Sequence, residues 1–113
     1  MSTRQAGNRT ENAFCRMIEG HGYCTFPSRG SRGVDVLCVH SETCLCIGVE
    51  VGGSSKVLRQ AFPKLRTAIL PAGSWRLVVR RVVAKGRAHW HFYTSEDERF
   101  TTLDDALDAL RRR

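Results

Sequence analysis

The chain has 113 residues, enough for one domain with a buried core and too few for two ordinary ones. Eighteen Lys plus Arg against eleven Asp plus Glu leave a net charge of +7, and a 42% apolar share argues against a wholly disordered chain. A basic surplus points to a polyanion, nucleic acid ahead of an anionic membrane surface, because such binding releases condensed counterions.

We take 1–113 as a single domain with 1–9 as a flexible N-terminus. The first ten residues lack the apolar core of a signal peptide, and no later run is apolar for the roughly 18 residues of a membrane helix. No membrane partner is expected. The cysteines at 15, 24, 38, 44 and 46 are odd in number and lack Cys-x-x-Cys spacing, which disfavours a secreted disulfide scaffold. The expected location is intracellular: cytoplasmic, or host cytoplasm for a viral protein.

Ala13, Phe14, Met17 and Ile18 recur at helical spacing, so a first helix is predicted over 11–19, with Thr10 as N-cap and Gly20 and Gly22 as stops. Residues 23–26 suit a short strand, and 27–33 form a loop of Gly, Ser and Arg. Residues 34–40 and 44–51 read as a hairpin of two largely buried strands at the sheet centre. Val57, Leu58, Ala61, Phe62 and Leu65 return to helical spacing, with Pro63 as a kink or early stop. A turn at 71–74 leads to a long strand over 75–84, a hairpin turn at 85–87 and a strand over 88–94. Thr101 starts a last helix, 102–110, whose stripe is Leu103, Ala106, Leu107 and Leu110. Its closing arginines, 111–113, suit a helix C-terminus. The order predicts an α/β domain with a central mixed sheet flanked by helices.

Four features stand in one order: Glu11 in the first helix, the Ser/Gly/Arg loop, Asp35 at the start of an apolar strand, and Glu50 ending the next. A carboxylate among Val and Leu carries a desolvation cost unless a cation or hydrogen bonds compensate it. Two such acids at adjacent strand ends suggest a site for Mg2+ or Mn2+, and in a basic protein that suggests nucleic-acid hydrolysis. Asp35 and Glu50 share a sheet face only if paired hairpin positions sum to an odd number, which requires an even-length loop. An odd loop would instead gather Cys38, His40, Cys44 and Cys46 on one face, as zinc requires. Barring a bulge, the two readings exclude each other, and zinc is the disfavoured one.

These elements resemble the PD-(D/E)xK nuclease superfamily, and within it the archaeal-type and phage Holliday-junction resolvases. The resemblance rests on Glu11 and Gly22-Tyr23 in and after the first helix, Ser28, Ser31 and Asp35 around the loop, and Glu50 in the next strand. It implies a restriction-endonuclease-like core and a homodimer that cuts four-way DNA junctions. Glu11, Asp35 and Glu50 would be metal ligands, joined by the carbonyl of Val51. The family's E-x-K lysine position is Gly52 here. We assign the missing cation to Lys56, four residues further on, with Arg59 as a weaker substitute.

Arg29, Ser31, Arg32 and Arg59 are candidate DNA contacts. Arg80, Arg81, Lys85 and Arg87 form a basic hairpin able to hold duplex arms. His89 and His91 should share one strand face without a third ligand near in sequence, and Trp75 belongs to the core or a dimer interface. The competing readings are a catalytically silent DNA-binding module that lost its lysine, and a nicking or repair nuclease of the same superfamily.

Overall fold

In a computed structural model, which describes residues 3–28, 34–53 and 56–112, the apolar runs assemble into one six-stranded mixed sheet. Side-chain surroundings are described from Arg9 onward in the first helix and from Arg59 onward in the second. The elements are α1 (Thr3–Glu19), β1 (Tyr23–Pro27), β2 (Val36–His40), β3 (Cys46–Gly52), α2 (Lys56–Arg66), β4 (Trp75–Ala84), β5 (Arg87–Ser95), β6 (Glu98–Phe100) and α3 (Leu103–Arg111). Strand order follows chain order, β1 to β6. Every neighbouring pair is antiparallel except β3 and β4, which run parallel because α2 crosses over between them. This is the expected α/β architecture of a mixed sheet flanked by helices.

Side-chain alternation along the strands divides the molecule into two layers of core. On one face, Phe14, Cys15 and Ile18 of α1 and Leu103, Ala106, Leu107 and Leu110 of α3 pack on Val36, Cys38, Ile47, Val49, Leu77, Val79 and Phe92. On the other, Ala61, Phe62 and Leu65 of α2 cover Val34, Val78 and Tyr93. Gly48 lies under this second layer, and a Cβ there would come within 2.6 Å of Leu70 Cδ1 and 3.0 Å of Val34 Cγ1. The bare backbone lets the chain after α2 lie close on β3.

Several boundaries differ from expectation. Helix α1 begins at Thr3, so Thr10 lies inside it; Arg, Gln and Ala upstream favour helix strongly enough to extend it. The cap of α3 is Thr102, whose hydroxyl accepts the Asp105 N–H, rather than Thr101. Pro63 does not stop α2, which runs on to Arg66, and its ring is exposed. Cys44 lies in the β2–β3 loop with φ 60° and not in a strand, and β6 is an additional short strand. The sheet centre is β3 and β4, the second hairpin strand and the crossover strand, rather than the β2–β3 hairpin as a unit. Lys85 and Gly86 both have positive φ, as a two-residue β4–β5 turn requires.

Candidate active site

The β2–β3 register pairs Val36 with Val49, Leu37 with Gly48, Cys38 with Ile47 and Val39 with Cys46. Each pair sums to an odd number, so Asp35 and Glu50 fall on one face, the α2 face. The same register sends Cys38 and Cys46 to opposite faces. Ser28 fixes the foot of the preceding loop: its N–H donates to the Asp35 carbonyl at 2.9 Å and its hydroxyl donates to the Val34 carbonyl. That foot sets where β2 starts.

Asp35 stands just before β2, where β3 runs on past its last β2 pair while still paired with β4 on its other edge. Its carboxylate supplies the missing acceptor, taking the Val51 N–H at 2.9 Å. Within a strand the N–H and C=O of one residue point to the same flank, so the Val51 carbonyl is turned toward this side as well. Glu50, on the intervening position, is 6% exposed and lies beside Asp35.

The cation at this pair is Lys64. Its Nζ lies 3.0 Å from Glu50 Oε1, and its side chain remains 44% exposed. The ammonium is the partner of the buried Oε1, which accepts no other hydrogen bond among the described residues. Lys64 is positioned by its helix: Ala61 and Leu65, three residues before and one after, are buried against the sheet. At the end of that helix the Arg76 guanidinium donates through Nε to the Leu65 carbonyl at 2.7 Å. Arg76 thereby ties the last turn of α2 to β4.

Burial pushes the Glu50 carboxyl up to about 7, and the neighbouring Asp35 carboxylate adds to the rise while Lys64 opposes it. Burial works against the Lys64 ammonium, but Glu50 and then Asp35 outweigh it and hold its pKa above the usual lysine value. Two close carboxylates, one of them buried, suit a small hard cation, which commonly takes only one or two protein carboxylates. On that chemistry the pair fits Mg2+ or Mn2+.

Glu11 does not join this pair. It is half-buried on α1 next to Cys15, on the helix layer that covers the other face of the sheet. Among the described residues no three His, Cys, Asp or Glu side chains gather closely enough to hold a metal. Lys56 opens α2, about 12 Å of helix rise from Lys64, and its side chain lies outside the described residues. Arg29, Ser31 and Arg32 also lie outside them. Arg59 is exposed on α2. Arg80 and Arg81 point to opposite faces, paired with His91 and Trp90 respectively, so the expected basic hairpin is split between two surfaces. Lys85 and Arg87 are exposed at its turn. His89 and His91 share the α2 face as expected, while Trp75 is half-buried against the α1/α3 core.

Among solved structures, the chain is similar to Hjc of Archaeoglobus fulgidus, a Holliday junction resolvase from an archaeal hyperthermophile. The TM-score is 0.52 at 18% identity, over 78% of this chain and 71% of that one. The fold is resolvase-like. No protein-family profile and no curated protein matches the chain. Within the resolvase-like fold, Lys64 is the residue that sequence spacing did not single out. The available signal was its place beside the buried Ala61, Phe62 and Leu65, which puts it at the edge of the helix stripe facing β3. No helix among the described residues is long and apolar enough to cross a membrane.

Proposed function

We propose that the protein is a metal-dependent, structure-selective DNA endonuclease, and specifically a resolvase that cuts four-way junctions as a homodimer. The observation that carries this reading is the Asp35–Glu50 pair with the Lys64 ammonium 3.0 Å from Glu50, on a resolvase-like sheet in a chain of net charge +7. Asp35 and Glu50 would hold Mg2+ or Mn2+, with the Val51 carbonyl directed to the same flank. The ion supplies Lewis-acid activation of water and charge stabilisation at the phosphodiester.

The residues of the chain supply the rest. Lys64 carries a fixed positive charge at the acid pair, where it can orient a nucleophilic water or counter charge developing on phosphate. Asp35 is itself held by the Val51 N–H, so its free oxygen is presented in one direction. Arg76 keeps the lysine-bearing turn of α2 against the sheet. The basic surface draws the DNA backbone toward an acidic pocket that repels it until the carboxylates are compensated. A two-fold dimer would bring two such pockets to opposing strands of a junction.

A second reading, a DNA-binding module without activity, is favoured by Gly52 at the E-x-K lysine position and by the distance of Glu11 from the pair. A labelled four-way junction incubated with Mg2+ or Mn2+ separates the two. Cleavage that Asp35→Asn abolishes, with junction binding kept, supports the nuclease; binding without cleavage at every protein concentration supports the silent module.

A further inference from the structure

On the α2 face of the sheet, the row holding Glu50 continues across Val78 and Tyr93, and the next row of that face is Gly52, Arg80 and His91. The two rows are about 7 Å apart along the strands, a span that one nucleotide of backbone covers. Arg80 and His91 are half-buried, and Arg80 Nε and His91 Nδ1 are buried polar atoms without a hydrogen-bond partner among the described residues. A guanidinium N–H left unpaired away from water is costly, so an unfilled donor here calls for an acceptor from outside. Among the described residues Arg80 forms no ion pair with an acid.

The groups that press on the His91 ring are all basic. Burial lowers the His91 pKa, and the other groups pressing on the ring are Arg99, Arg80 and His89, all of which disfavour adding a further positive charge. Arg99 pairs with Tyr93 across β5 and β6, and His89 lies two residues from His91 on the same face. Gly52 contributes no side chain to the row, which leaves the flank of Arg80 toward β3 unobstructed by one. A charged donor without an acidic counterpart among the described residues, next to an acid pair, is the inverse of a structural salt bridge.

We infer that the Gly52–Arg80–His91 row is a phosphodiester subsite, holding the DNA backbone one nucleotide away from the Asp35–Glu50 pair with Arg80 as its charged donor and His91 beside it. This rests on the nuclease reading for the meaning of the neighbouring site, although the subsite itself requires only that the protein binds DNA. It gives Arg80 a role in positioning: a backbone anchored here fixes which phosphate lies over the acids.

The test is DNA binding by the full-length protein in EDTA, read by fluorescence anisotropy on a short labelled duplex and on a four-way junction over a range of NaCl. Arg80→Gln is expected to weaken both by about tenfold or more and to flatten the slope of log Kd against log salt by about one. Arg16→Gln, an exposed cation on α1, removes the same charge and should leave the slope near wild type. His91 ring resonances should shift when a dinucleotide is added to the wild type, and not in Arg80→Gln. Wild-type affinity and slope in a folded Arg80→Gln, or equal losses in Arg16→Gln, would overturn the assignment. If Arg80→Gln does not fold, Arg80→Lys and His91→Gln are read in the same way: a loss of affinity supports the subsite and unchanged binding overturns it. Because cleavage is not used, an inactive wild type that shows the Arg80 effect defeats only the nuclease reading. An active one that lacks the effect defeats only the subsite.

Discussion

Lys64 Nζ and Glu50 Oε1 stand 3.0 Å apart across the α2 crossover, so the cation at the acid pair comes from the helix that covers the strand and not from the strand itself. Lys64→Met should reduce junction cleavage on the order of a hundredfold, the scale for loss of one charged stabilising donor, while junction affinity changes little. Lys56→Ala is the direct comparison. A larger loss in Lys56→Ala than in Lys64→Met would return the role to the residue that sequence spacing favoured.

The raised Glu50 pKa makes stability depend on pH in a definite direction. In the unfolded chain this carboxyl ionises near 4.5, whereas in the fold it keeps its proton until about 7. Between those values the folded state binds more protons, so stability falls as pH rises through the window, by on the order of 3 kcal/mol at full ionisation. Thermal melts of the metal-free protein should show Tm declining from pH 4.5 toward 7. Glu50→Gln should flatten that decline; a Tm that rises across the window in the wild type would contradict the effect of burial on the Glu50 carboxyl.

A divalent cation should reverse this dependence. Mg2+ or Mn2+ favours the ionised pair, so the Tm increase on adding metal is expected to be larger at pH 8 than at pH 5 and to vanish in Asp35→Asn/Glu50→Gln. Equal shifts in the wild type and the double variant would place the metal elsewhere.

Asp35 has two duties that different substitutions separate. Asparagine preserves an oxygen for the Val51 N–H, so Asp35→Asn should melt close to the wild type while losing cleavage. Alanine leaves that amide without its acceptor and should cost an additional 1–3 kcal/mol, roughly, in denaturant unfolding. Similar stabilities for the two variants would show that the amide bond contributes little.

Gly48→Ala probes the support beneath the site. The new methyl would meet Leu70 and Val34, and the displacement should cost about 1–3 kcal/mol in urea unfolding without abolishing the sheet. An unchanged midpoint would mean that Leu70 swings aside freely.

The elements that depend on local periodicity are legible in the sequence. The sequence posed the β2–β3 hairpin as a choice between an even and an odd loop, and the register takes the even one, with Asp35 and Glu50 on one face. The strand over Trp75–Ala84 was likewise written in its alternation. What was hidden depended on the crossover: spacing along the chain favoured Lys56 as the nearest cation after Gly52, but a helix returning over a parallel strand brings forward a residue from its far turn. The placement of Glu11 was hidden for the related reason that helix periodicity says which side of α1 is buried, not which sheet face α1 covers. Arg80 and Arg81 look equivalent in a basic run, yet the pleat assigns them to different surfaces.

The hydrogen bond from Arg76 to the Leu65 carbonyl holds the far turn of α2 on the sheet, and that turn carries Lys64. The two acids are secured by hairpin pairing between neighbouring strands, whereas their cation is secured by one side of a helix, by this strap and by the exposed Arg66–Glu96 ion pair of the same turn. Heat should therefore release the lysine while the strands are still paired. Cleavage is expected to fade at temperatures below the melting of the sheet, and the interval between the two measures how firmly the helix end is held.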